Sequence, residues 1–144
     1  MKTIPEIMLR DHAKIHNLLS EIDLNLQKEK NIEESHHLFI RLKWTVQKHF
    51  FVEEKVIFTV YASSELEEMQ DFDNLIKEHR EVLSLLQKID NNFQKPISHN
   101  LFQKTKKLLS EHAKFEDEIF YPRLEEELSE EQKELIKDRC EEWV

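Results

Sequence analysis

Two stretches of the chain carry a histidine and a glutamate four residues apart: "HFFVEEKVIF", with His49 and Glu53, and "HAKFEDEIFY", with His112 and Glu116. On a helix, residues i and i+4 lie one above the other on the same face, so a single ion can reach both side chains. Three more histidines recur among apolar residues at helical spacing. His12 and His16 share a face with Met8, Leu9, Ile15 and Leu19, and His79 sits among Phe72, Leu75, Ile76, Val82, Leu83 and Leu86. A carboxylate buried without a partner costs several kcal/mol. Two carboxylates beside up to five imidazoles are a set that cations stabilise, because each ion neutralises carboxylate and takes an imidazole lone pair. The chemistry these seven residues suggest is metal binding.

The elements that must position them follow from punctuation and periodicity. The first helix is expected from about Thr3–Pro5 to about Lys28, and the second from Asn31 as N-cap to about Tyr61. The third opens at "SSELE", where Ser64 and Glu67 have capping-box spacing, and ends near Asn92. The fourth runs from about Pro96–Ser98 and is expected to stop at Pro122, whose ring blocks continuation. Ser129 and Gln132 mark the start of a short terminal helix over about residues 129–143, whose Leu135, Ile136 and Trp143 are candidates to pack on the rest. Helices of about 25 residues, each about 37 Å long, joined by short loops, suit an up-down-up-down bundle.

The chain also repeats itself. "DHAKIHNLLSEID" (residues 11–23) is similar to "EHREVLSLLQKID" (78–90), and the two His-x-x-x-Glu stretches are similar to each other. The order A-B-A-B predicts two helical hairpins related by a pseudo-twofold axis, with the shared residues facing across the core.

Composition bounds the rest. A chain of 144 residues with no glycine and three prolines argues for an all-α protein, here read as a single domain over 1–144 with the bundle at about 5–122. The net charge of −9 disfavours nucleic acid and anionic membrane as partners. The first residues lack the apolar run of a signal peptide and no segment is apolar enough to span a membrane, so the expected location is cytoplasmic. The single cysteine, Cys140, excludes an internal disulfide framework, and its acidic neighbours disfavour a thiolate. His36, His37 and His99 lie near helix starts among polar neighbours and read as surface residues. No inward histidine has a glutamate three residues before it, which disfavours a ferritin-like site.

"DHAKIHNLL", "HFFVEE", "EHREVLSLL" and "HAKFEDEIFYP" together resemble the hemerythrin-like, or HHE cation-binding, domain over about residues 5–122. The resemblance implies two non-haem iron ions inside the bundle, bridged by two carboxylates and an oxo or hydroxo group. By match, His12, His49, His79 and His112 are terminal ligands, and Glu53 and Glu116 are the bridges. The oxygen-carrying hemerythrins have a second histidine one turn along on the third helix and an aspartate five residues after the fourth-helix histidine. Here Leu83 takes the first position, and Glu116 lies four residues after His112. His16 is the pseudo-symmetric counterpart of Leu83, either as a fifth terminal ligand or as a polar core residue bonded to backbone or carboxylate.

The function expected from the resemblance is binding of, or reaction with, O2, peroxide or nitric oxide. That covers oxygen binding or sensing and defence against oxidative or nitrosative stress, and leaves open whether the protein is an oxidoreductase. The alternative is a metal-free or zinc-bound bundle acting as an interaction module. Phe50, Phe58, Phe115, Phe120, Tyr61 and Tyr121 are candidates for a dry shell around the site, with ordinary core packing as their other reading.

Overall fold

The computed structural model describes residues 3–27, 32–62 and 69–143. Four long helical rods and a terminal helix account for almost all of them. The first rod is α1, Ile4–Gln27. It opens with a reciprocal cap, the Glu6 N–H donating to Thr3 Oγ1 at 3.3 Å and the Thr3 N–H to Glu6 Oε2 at 3.4 Å. The second rod is α2 (Ile32–Val52), a π turn (Glu53–Ile57) and α3 (Phe58–Ala62). The third is α4, Met69–Asn91. The fourth is α5 (Ile97–Phe115), a second π turn (Glu116–Phe120) and α6 (Tyr121–Glu127). The expected caps at Asn31 and at Ser64 with Glu67 lie outside the described residues.

The all-α bundle predicted from the sequence is the fold observed, with α1 against α2, α2 against α4, α4 against α5, and α1 closing the ring against α5 and α6. Symmetry between the halves extends to their ion pairs. Lys106 binds Asp23 at 2.9 Å, and Lys43, at the matching place in the other half, lies 3.4 Å from Asp90. The terminal helix α7, Glu130–Trp143, starts at the expected capping box, Gln132 N–H to Ser129 Oγ at 3.2 Å and Ser129 N–H to Gln132 Oε1 at 3.0 Å. Its Ile136 and Cys140 are buried against the bundle, whereas Leu135 is 40% exposed.

Pro122 does not end the fourth rod, contrary to the sequence expectation. In the turn before it, the Tyr121 N–H reaches back five residues to the Glu116 carbonyl. That wider turn moves the preceding carbonyls off the positions that the proline ring would strike, and the ladder passes through a residue with no N–H to give. The same i→i−5 bond, Phe58 N–H to Glu53 carbonyl, forms the π turn of the second rod.

The apolar interior is divided. One cluster, including Ile15, Leu19, Ile22, Phe39, Leu42, Val46, Phe102 and Leu109, fills one end of the bundle. A second, including Ile4, Met8, Ile57, Tyr61, Phe72, Leu75, Phe120, Leu124 and Ile136, fills the other. Between them lies a buried polar layer of Asp11, His49, Glu53, His79, His112 and Glu116. Leu9, expected on the inward face with His12, is 47% exposed, and Ile119, within the second π turn, equally so.

Candidate metal centre

Each rod brings one histidine to the polar layer, and the four imidazoles meet in two pairs. His12 Nε2 is 3.1 Å from His49 Nε2, and His79 Nε2 is 3.3 Å from His112 Nε2. The two glutamates connect the pairs. Glu53 Oε1 lies 2.8 Å from His49 Nε2 and 3.6 Å from His79 Nε2, and Glu116 Oε1 lies 3.2 Å from both His12 Nε2 and His112 Nε2. Both glutamates are fully buried. Each π turn begins at one of them, in keeping with the tendency of π-bulges to occur at functional sites.

This donor set fits metal ions. Glu53 Oε1 and Oε2, Glu116 Oε2 and Asp11 Oδ1 are buried with no well-formed hydrogen bond, a costly arrangement unless a cation completes it. Two imidazole nitrogens bound at right angles to one ion stand about 3 Å apart, given metal–nitrogen bonds of about 2.1 Å. The two observed pairs have that spacing. Glu53, His79, His112 and Glu116 form one potential ligand group and His12, His49 and Glu116 another, with Glu116 common to both.

The other nitrogen of every one of these imidazoles meets a carboxylate. His49 Nδ1 is 3.3 Å from Asp11 Oδ2, and His112 Nδ1 is 2.7 Å from Glu78 Oε2. His12 Nδ1 is 2.9 Å from Asp117 Oδ1, and His79 Nδ1 is 3.4 Å from Glu54 Oε2. A carboxylate at Nδ1 holds the proton there and leaves the Nε2 lone pair for the centre. The sequence reading missed these four acids, although each is adjacent to a predicted ligand and they repeat between the halves: Asp11 with Glu78, Glu54 with Asp117. Asp117 stands five residues after His112, yet Glu116 is the side chain between the imidazoles.

Without an ion, the layer is electrostatically coupled. Burial disfavours the His49 imidazolium, but Glu53 and Asp11 outweigh it and raise its pKa to about 9. Burial pushes the Glu53 carboxyl up, and His49, His112 and His79 more than reverse this, holding it well below the usual range. His12 goes the other way: burial and the neighbouring His49 lower its pKa.

His16 does not join the layer. It is exposed on α1, in the wall of a cavity that also reaches His12. Four residues turn a helix by about 40° beyond a full circle, so with His12 facing the centre His16 is carried to the flank, and Ile15 and Leu19 take the inward places. His37 and His99 are exposed as expected, but His36 is half-buried, 3.0 Å from Asp90 and packed against Phe93. Phe50 stacks on His79 at a centroid distance of 3.8 Å, and Phe58 lies on it at 6.0 Å. Tyr121 stacks at 5.7 Å on His12, and its buried hydroxyl makes no well-formed hydrogen bond. Tyr61 is tied by its hydroxyl to Glu127 at 2.7 Å.

A helical bundle whose core holds paired histidines, shared glutamates and a carboxylate behind each imidazole is a cation-binding bundle. Residues 3–124 match the family model described as the hemerythrin HHE cation binding domain. The chain belongs to that family. No curated protein and no solved structure matches it. Among the described residues, no helix is long and apolar enough to cross a membrane.

Proposed function

We propose that the protein is a non-haem di-iron protein that binds or reacts with a small ligand of the O2, peroxide or nitric oxide class. In this reading His12 and His49 hold one ion, His79 and His112 hold the other, and Glu53 and Glu116 bridge them. The observation that carries it is the position of each glutamate against one Nε2 from each histidine pair. Iron there would supply one-electron redox chemistry and open coordination positions for the ligand.

The rest of the work belongs to the chain. Asp11, Glu78, Asp117 and Glu54 fix the histidine tautomers and raise their basicity. Phe50 and Phe58 cover His79 on its ring faces, which keeps water from that half of the centre. With two histidines for each ion and no contribution from His16, this donor set would leave room for a small ligand.

Metal analysis tests this directly. Protein expressed in iron-rich medium should contain close to two irons per chain, and the reduced form should change its optical spectrum on exposure to air or nitric oxide. Protein that carries no iron from such medium, or only zinc that iron does not displace, would overturn the assignment.

A further inference from the structure

The two halves of the bundle differ where the pseudo-twofold axis relates Ala113 to Phe50 and Ala13 to Arg80. In one half Phe50 lies flat on His79. In the other, alanine at the matching position leaves the flank of the centre open, and a cavity of about 470 Å³ runs between α1 and α5 to His12 and His49. That volume lies within the roughly 300–1,000 Å³ of small-molecule sites, and a diatomic ligand needs little more than the roughly 30 Å³ share of a water. The wall is mainly apolar, with Ile15, Leu19, Phe50 and Leu109, and the imidazoles of His12, His49 and His112 line it as well. The exposed lining residues include His16 and Lys114, and neither makes an ion pair among the described residues. The one acid in the lining, Asp117, is engaged by His12 at 2.9 Å. An apolar slot with an unpaired cation at its exposed edge is complementary to a molecule with a hydrocarbon body and a single negative head.

We propose that this cavity binds an amphipathic monocarboxylate, its tail along Leu109 and Ala113 and its carboxylate beside Lys114 and His16. The site adjoins the metal centre, whose His12, His49 and His112 line the same cavity, and does not depend on which ion that centre holds. It gives His16 a role as a rim donor.

Octanoate is a suitable probe and 1-octanol its uncharged twin. Titration calorimetry on the full chain, metal-free and metal-loaded, should show saturable 1:1 binding of octanoate and weaker binding of octanol. Ala113→Phe, which restores what Phe50 does in the other half, should weaken octanoate binding at least about tenfold, or about 1.4 kcal/mol. Lys114→Glu should weaken octanoate but not octanol. Ala13→Leu narrows the opposite wall from an exposed position and repeats the test should Ala113→Phe fail to fold. Absence of saturable octanoate binding, wild-type affinity in a folded cavity-filling variant, or octanol binding as tightly as octanoate would each overturn the proposal.

Discussion

The carboxylates behind the imidazoles offer a graded test of how the centre is tuned. Asp11→Asn and Glu78→Gln each remove one negative charge while keeping a carbonyl oxygen that can still accept the Nδ1 proton. The tautomer should survive and only the charge is lost. Distance and burial then make opposite forecasts. Glu78 is closer to its histidine, 2.7 Å against 3.3 Å for Asp11, a ratio that alters a Coulomb energy by about a fifth. But the Glu78 side chain is 50% exposed and that of Asp11 is fully buried. Water solvates and screens the half-exposed Glu78, whereas the buried Asp11 acts through a medium of lower effective dielectric, so burial outweighs distance. Loss of such a partner typically costs 10–100-fold in metal affinity. Glu78→Gln should fall near about tenfold and Asp11→Asn near about a hundredfold, or about 1.4 and 2.7 kcal/mol. Competition against a chromophoric chelator for Zn2+ measures both, since imidazole and carboxylate donors accept zinc as well as iron. Wild-type affinity in both variants would refute a tuning role for the acids. A larger loss in Glu78→Gln than in Asp11→Asn would refute the argument that burial decides.

Three other outcomes follow from the same geometry. His16→Leu should leave metal content and the optical spectrum of the loaded protein unchanged, because the imidazole is exposed on the flank of α1; an altered spectrum would restore it as a ligand. In the metal-free protein the His49 pKa is raised from 6.5 to about 9, so its contribution to stability is complete below pH 6.5 and is lost as pH rises through about 9. The metal-free melting temperature should therefore fall across that window, and the metal-loaded protein should show no such fall, its His49 lone pair being given to the ion. Burial pushes the Cys140 thiol up to about 12, so iodoacetamide at pH 8 should leave the folded protein unmodified and label it once denatured.

The legible part of the molecule was its repeat. Spacing alone placed His12, His49, His79 and His112 on four rods, and Glu53 and Glu116 one turn beyond two of them, because helical periodicity is a property of sequence. The sheath of acids was present but unread: Asp11 and Glu78 look like ordinary solvated residues until the neighbouring helix that each one serves is known. The π turns leave no local signal, so periodicity alone misjudges the phase of the stripe beyond Glu116 and takes Pro122 as a stop. The placement of His16 failed for a smaller reason, a drift of about 40° per four residues that the pattern of apolar neighbours did not resolve.

That phase change has a consequence for how such a bundle can evolve. A straight α-helix fixes one angular relation along its length, so the orientation of a ligand and the packing of residues a turn later would have to be selected together. The wide turns beginning at Glu53 and Glu116 break that tie. Beyond Glu116, Phe120, Tyr121, Leu124 and Leu128 carry the burial, one step out of register with the stripe through Leu109 and His112. The carboxylates and the apolar end below them can then change on separate schedules. One end of the molecule can drift in composition while the donors of the polar layer keep their aim.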